Sequence, residues 1–254
     1  MADFDLLKVV QPTEGWFVVT GIKAKSVVQK FVATRQEADA VTKDFVQQKR
    51  NVFFALAKYQ TDSTRTKDNV KALKSFWLDI DCGEAKAEPN ATTGIPDGYI
   101  DQPTAGEALR EFCTLVGLPK PIVVNSGRGL HVYWALTEEI TREVWEPVAA
   151  RLQQLCNTHK FYVDNAVFEV ARILRIPGTY NFKGGTPALV TVINEAPAVD
   201  FLAFSQLLGI KEPLAAPPPK RVSNLGKYLA SAATSLTKFS KIMTRSAKGD
   251  GCAQ

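Results

Sequence analysis

The chain has 254 residues, 45% hydrophobic and 22% charged, the balance of an ordinary globular protein with enough apolar content for one sizeable core. No apolar run reaches the roughly 18 residues of a membrane span, and the start Met1-Ala2-Asp3-Phe4-Asp5 lacks a basic-then-apolar signal pattern, so a cytoplasmic protein is expected. The net charge of +5 is uneven: residues 220–254 hold seven Lys and Arg against one acid, and the residues before them hold 24 basic and 25 acidic, which excludes a generic basic nucleic-acid binder and requires any phosphate site in the main domain to be built from a few placed cations.

The β-branched and aromatic run 15–22 predicts a strand, and Ala38, Ala40, Val41 and Phe45 give 36–49 helical spacing. A strand is expected over Asn51–Tyr59, then a polar stretch at 60–72, then a strand Ser75–Asp81 that ends on two aspartates. Residues 83–103, with three glycines and three prolines, predict a long mobile surface insertion. The next helix is expected over Thr104–Val116, with Thr104 as N-cap and Glu107 closing a capping box. Strands Ile122–Asn125 and Leu130–Leu136 flank the turn Ser126-Gly127-Arg128-Gly129. Helices are expected over 141–159 and 166–174, and a late strand over Ala188–Ile193. One domain of residues 1–212 then gives way to a Pro-rich linker at 213–223 and a basic helical segment at 224–254.

Three groups of residues carry chemistry. Asp79 and Asp81 lie two apart on a strand, hence on one face roughly 6.5 Å from each other. Paired carboxylates repel unless a cation lies between them, and they suit Mg²⁺ or Mn²⁺; two solvated strand-end acids would look the same. In Asn125-Ser126-Gly127-Arg128-Gly129-Leu130-His131, the glycines let backbone N–H groups approach an anion, Ser126 and Arg128 add donors, and His131 opens the returning strand. That suggests a triphosphate cradle, against a plain hairpin with a core histidine. Asp164 precedes Arg172 and Arg175, two arginines amid apolar residues whose partner is Asp164, Glu169 or a phosphate.

The ordered set D-x-D, S-G-x-G-x-H, then an acid with R-x-x-R-x-P-G-T-x-N-x-K ending at Lys183 resembles the archaeo-eukaryotic primase superfamily, and most of all the primase-polymerases of phages, plasmids and other mobile elements. The resemblance covers roughly residues 15–195. It implies an α+β fold, with an N-terminal α/β module and an RRM-like antiparallel sheet with helices, and it makes the basic segment the start of a helical tail. It implies a template-dependent nucleotidyltransferase that makes or extends primers with NTPs or dNTPs by two-metal phosphoryl transfer. Asp79, Asp81 and Asp164 would then hold Mg²⁺ or Mn²⁺, with His131 also catalytic. Ser126, Gly127, Arg128, Gly129, His131, Arg172 and Lys183 would bind nucleotide. Tyr133, Tyr180 and Phe182 are candidates for sensing a 2′-hydroxyl. The implied partners are a single-stranded DNA template, a primer end, and a helicase domain or replisome protein, with no membrane. The alternative is a non-catalytic replication initiator or single-strand DNA-binding module, whose acid set should be broken; here all three acids stand. A relaxase needs an H-x-H pair, and the two histidines, His131 and His159, do not form one. Four scattered cysteines likewise argue against a zinc enzyme.

Overall fold

The computed structural model describes residues 4–211; the expected linker and basic helical segment lie outside them. The chain opens with α1 (Leu6–Val10), the hairpin β1 (Phe17–Lys23) and β2 (Ser26–Val32), α2 (Arg35–Gln47), β3 (Asn51–Ala55) and the short β4 (Lys58–Tyr59). The long β5 (Val70–Cys82) leads through α3 (Glu84–Ala87) and β6 (Gly98–Tyr99) to α4 (Gln102–Val116), β7 (Ile122–Asn125), β8 (Gly129–Ile140) and α5 (Arg142–Thr158). β9 (Ile173–Arg175), β10 (Tyr180–Asn181), β11 (Ala188–Leu189), β12 (Thr191–Asn194) and α6 (Phe201–Leu207) complete it.

Two larger sheets result. The first has the order β2-β1-β3-β9 and is antiparallel throughout. The second has the antiparallel order β12-β7-β8-β5-β4, and β6 joins the far end of β5 in parallel. Antiparallel sheets with six helices among the described residues give the α+β architecture the sequence implied. β3 and β4 belong to different sheets and are separated only by Leu56 and Ala57, both fully buried, so the chain passes through the core from one module to the other.

β5 organises the second sheet. Phe76, Trp77, Leu78 and Ile80 are all buried, because the strand lies inside the sheet with both faces covered; its sequence therefore reads as a near-continuous apolar run rather than an alternation. Trp145 of α5 stacks on Trp77 and Phe76 at 4.6 and 5.6 Å between ring centres, and its indole N–H donates to the Ser75 carbonyl at 2.9 Å. That bond satisfies a polar group which the core would otherwise strand.

Several boundaries differ from expectation, each for a local reason. α4 starts earlier, because Asp101 accepts the Thr104 N–H at 2.8 Å and Pro103 occupies the first turn, where its missing N–H goes unneeded. The expected strand Asn51–Tyr59 is two strands broken at the crossing between sheets, and Ala188–Ile193 is split between β11 and β12. The helix expected over 166–174 is absent: Asn165–Val167 make one 3₁₀ turn, and β9 then pairs with β3, Phe53 opposite Arg175. Strand pairing there overrides local spacing. The segment 83–103 is not a plain insertion, since α3, β6 and a turn closed by the Asn90 N–H to Ile95 carbonyl bond (2.9 Å) give it order. β2 gives a weak sequence signal because four residues of this edge strand are exposed, and only Val28, Phe31 and Val32 pack partly against the core.

Candidate active site

The end of β5 carries Asp79 and Asp81. Across one edge, Asp79 stands opposite His131 and Asp81 opposite Gly129 of β8; across the other, Asp81 stands opposite Gly98 of β6. A side chain at Gly98 would run into the Asp81 carbonyl, and one at Gly129 into that of Ile80. Both neighbours are thus glycine because the strands close tightly around the acid. Asp164 arrives from a distant segment: its N–H donates to the Asp79 carbonyl at 2.9 Å, and the Trp77 indole donates to the Val167 carbonyl at 2.8 Å. The core tryptophan beside the aspartates therefore also fastens the turn that delivers the third acid.

The acids share one electrostatic environment. Burial pushes the Asp79 carboxyl up to about 6, with Asp81 and Asp164 adding repulsion and Arg172 opposing. The Arg172 guanidinium bridges Asp79 (3.4 Å) and Asp164. Lys86 on α3 lies 2.8 Å from Asp81 Oδ2. His131 is buried, which drives its pKa down to about 3 with help from Arg175 and Arg172, so the imidazole is neutral. Its Nδ1 lies 3.4 Å from the Tyr133 hydroxyl and its Nε2 3.8 Å from Asp79 Oδ1.

The turn 126–129 is held from both sides. Ser126 N–H donates to the Gly129 carbonyl (2.9 Å), Gly127 N–H to Asn125 Oδ1 (2.7 Å), and Asn181 Nδ2 to the Ser126 carbonyl (3.0 Å). Gly127 has φ +89°, and a Cβ there would stand 2.8 Å from that of Asn181. The N–H groups of Ser126 and Gly127 are therefore spent within the turn, and an anion would be met by the side chains of Ser126, Arg128 and His131 instead.

Asp79, Asp81 and Asp164 line one cleft of about 580 Å³ together with Ser126, Arg128, His131, Arg172 and Lys183. Arg65 and Arg175 line it too, each with a buried Nε that has no hydrogen-bond partner, and Arg175 lies over the Phe53 ring at 5.0 Å. Cations held without full pairing beside a polar floor suit a multiply charged anion. Among the described residues, no three acidic, histidine or cysteine side chains form a self-contained metal cage. The donors nonetheless fit Mg²⁺ or Mn²⁺, which take oxygen ligands and commonly use one or two carboxylates completed by water and substrate phosphates. Burial first, and the neighbouring carboxylates second, disfavour the charged form of Asp79, and a divalent cation on its oxygens would offset both.

No family model matches the chain. A curated replication protein of Clostridium perfringens is 24% identical over 161 residues, 61% of this chain and 35% of that protein, so the chain spans about a third of its relative's length. Among solved structures, the AEP domain of the Cyanophage S-2L primase-polymerase superposes with a TM-score of 0.52 at 16% identity, covering 77% of this chain and 89% of that one. The chain has the fold of an archaeo-eukaryotic primase domain. The primase RepB′ superposes with a TM-score of 0.49 at 12% identity over 91% of this chain and 64% of that one.

Within this primase-type fold the structure gathers all the acids, the serine–arginine–histidine turn, Arg172 and Lys183 around one cleft. Arg172 resolves its open partner as Asp164 and Asp79. Tyr133, Tyr180 and Phe182 do not line the cleft; Tyr133 is fully buried beneath His131 and Tyr180 is 40% exposed. Lys86, Arg65 and Asn51 line it although no sequence motif marks them, and Asn181 lines it from inside the run that ends at Lys183 without a role assigned to it from the sequence. The signal of the first three is faint, because each comes from a segment that reads only as loop, strand edge or polar stretch.

Proposed function

We propose that this chain is a template-dependent nucleotidyltransferase, a primase or DNA polymerase that makes or extends primers in the replication of a phage, plasmid or other mobile element. What carries the reading is the convergence of Asp79, Asp81 and Asp164 with Ser126, Arg128 and His131 on one cleft of a primase-type fold. Asp79, Asp81 and Asp164 would hold Mg²⁺ or Mn²⁺. Such ions, when bound, lower the charge of the reacting phosphate and of the pyrophosphate leaving group.

The chain's own groups do the positioning. Ser126, Arg128, Arg175 and Lys183 grip the triphosphate, and neutral His131 donates one ring N–H without adding charge. Arg172 steadies Asp79 and Asp164 against each other. A primer 3′-hydroxyl then attacks the α-phosphate in line: the new P–O bond forms as the bond to pyrophosphate breaks, and the hydroxyl proton leaves to water. Fixed dipoles and charges facing the developing negative charge provide most of the rate gain. Single-stranded DNA supplies the template, and a helicase domain or replisome protein is the expected partner.

The test uses unprimed and primed single-stranded DNA with labelled NTPs or dNTPs and Mg²⁺ or Mn²⁺. Template-directed products with the wild-type chain, absent with Asp79→Ala, are expected. Absence of products from the wild-type chain under all these conditions, or full activity in Asp79→Ala, overturns the reading.

A further inference from the structure

Lys86 belongs to no motif in the sequence, yet it stands on the site. The segment that carries it is fastened to the strand bearing the acids. Gly83 N–H donates to the Tyr99 carbonyl at 2.8 Å, Asp97 N–H donates to the carbonyl of Lys86 itself at 3.0 Å, and Asn90 Nδ2 donates to Asp97 Oδ2 at 2.8 Å. β6, at the end of the segment, pairs with Asp81 and Cys82. A lysine on an unanchored loop would be a solvated charge; here the backbone is tied at the residue, and the ammonium lies 2.8 Å from Asp81 Oδ2.

The other acids are served differently. Arg172 pairs with Asp79 and Asp164, whereas among the described residues Lys86 makes the salt bridge to Asp81. An ammonium and a divalent cation that use Oδ2 compete for the same lone pairs. Lys86 also lines the cleft shared by Arg128, Arg175 and Lys183, and its four-carbon stem lets the charge swing several ångströms without backbone movement.

We propose that Lys86 is an exchanging counterion: it holds Asp81 in place until a divalent cation takes that oxygen, and then turns to the phosphates of the nucleotide. One side chain thereby couples metal binding to nucleotide binding. The inference rests on the reading of Asp81 as a metal ligand.

The experiment measures Mn²⁺ binding to the full chain by electron paramagnetic resonance of the free ion, then binding of a non-hydrolysable α,β-imido deoxynucleoside triphosphate at saturating Mn²⁺. Lys86→Met keeps the stem and removes the charge at a side chain that is 43% exposed, so the fold is spared. Without nucleotide, Lys86→Met is expected to bind Mn²⁺ about fivefold tighter, the scale of one partly exposed ion pair. With Mn²⁺ present, it is expected to bind the analogue about tenfold more weakly, the scale of one charge-assisted hydrogen bond. Lys86→Arg should restore both values towards wild type. Unchanged or weaker Mn²⁺ binding in Lys86→Met, or unchanged analogue binding, overturns the proposal. Asp79→Asn separates the two readings: Mn²⁺ binding lost there but unaltered in Lys86→Met refutes the role of Lys86 alone, while wild-type Mn²⁺ binding in Asp79→Asn refutes the metal site itself.

Discussion

Replacing Asp79 by Asn should stabilise the chain while destroying its chemistry. The Asp79 carboxyl is pushed from 3.8 up to about 6 by burial and by Asp81, a balance that already includes the attraction of Arg172. A carboxyl raised on folding favours the folded state only while protonated: its contribution is intact below about pH 4 and lost as the pH rises through 6. A rise of that size corresponds to about 3 kcal/mol at pH 7.5, or about 5–10 °C in Tm for a domain of this size. The assay is urea or thermal unfolding of both proteins in EDTA at pH 7.5 and pH 4.5. The gain should be present in full at the higher pH and fall to about a third of that, about 1 kcal/mol, at the lower. Excess Mn²⁺ should narrow it, because an ion that binds only the folded wild type stabilises that protein by mass action. Nucleotide incorporation should be absent in the variant throughout. An Asn variant less stable than wild type at pH 7.5, or a gain of equal size at both pH values, refutes the picture of a carboxylate whose charged form is disfavoured by burial and by its neighbours.

Trp77→Phe removes the indole donor from the buried Val167 carbonyl and is expected to cost about 2 kcal/mol, with incorporation falling because the turn carrying Asp164 loosens; thermal melts and single-turnover rates check both. Gly127→Ala places a Cβ at φ +89°, 2.8 Å from that of Asn181, and should cost about 1–3 kcal/mol and weaken nucleotide binding in a titration. Lys58 is fully buried, with its ammonium over the Phe17 ring at 2.7 Å and no hydrogen-bond partner, and burial lowers its pKa to about 7. A lysine depressed on folding weakens the fold as the pH drops from about 10.5 to 7, so Lys58→Met should gain more stability at pH 6 than at pH 10; equal urea midpoint shifts would refute this. Truncation after Pro219 removes seven basic residues and should flatten the salt dependence of DNA binding while sparing primer extension; identical slopes would deny the tail that role.

The candidate site residues are more legible in the sequence than the geometry that gathers them. Asp79 and Asp81 stand out because two acids close an apolar strand, and the Ser126–His131 turn because few turns gather such donors. What local sequence does not display are pairings between distant segments. Gly98 reads as one more loop glycine until β6 is laid against Asp81. Asn181 reads as a turn residue, yet it holds the Ser126 carbonyl across 55 positions. Three-residue spacing suggests a helix for Arg172 and Arg175; β9 instead takes its hydrogen bonds from β3 and separates the two arginines in function, one on the acids and one over Phe53. The earlier start of α4 has a simpler origin, two competing caps three residues apart.

The tip of β5 is stitched on every side. Asp79 accepts from Asp164, the N–H of Cys82 donates to Arg128, that of Gly83 donates to Tyr99, and glycines on both neighbouring strands leave no slack around Asp81. A strand so enclosed behaves as an anvil rather than a hinge. Amide protons at 79–83 should rank among the slowest to exchange with solvent, and rearrangement at the acids is confined to side-chain torsions, which turn over in about nanoseconds. A slow step in the working cycle proposed for this chain would belong to the movement of its ligands, not to the backbone beneath its carboxylates.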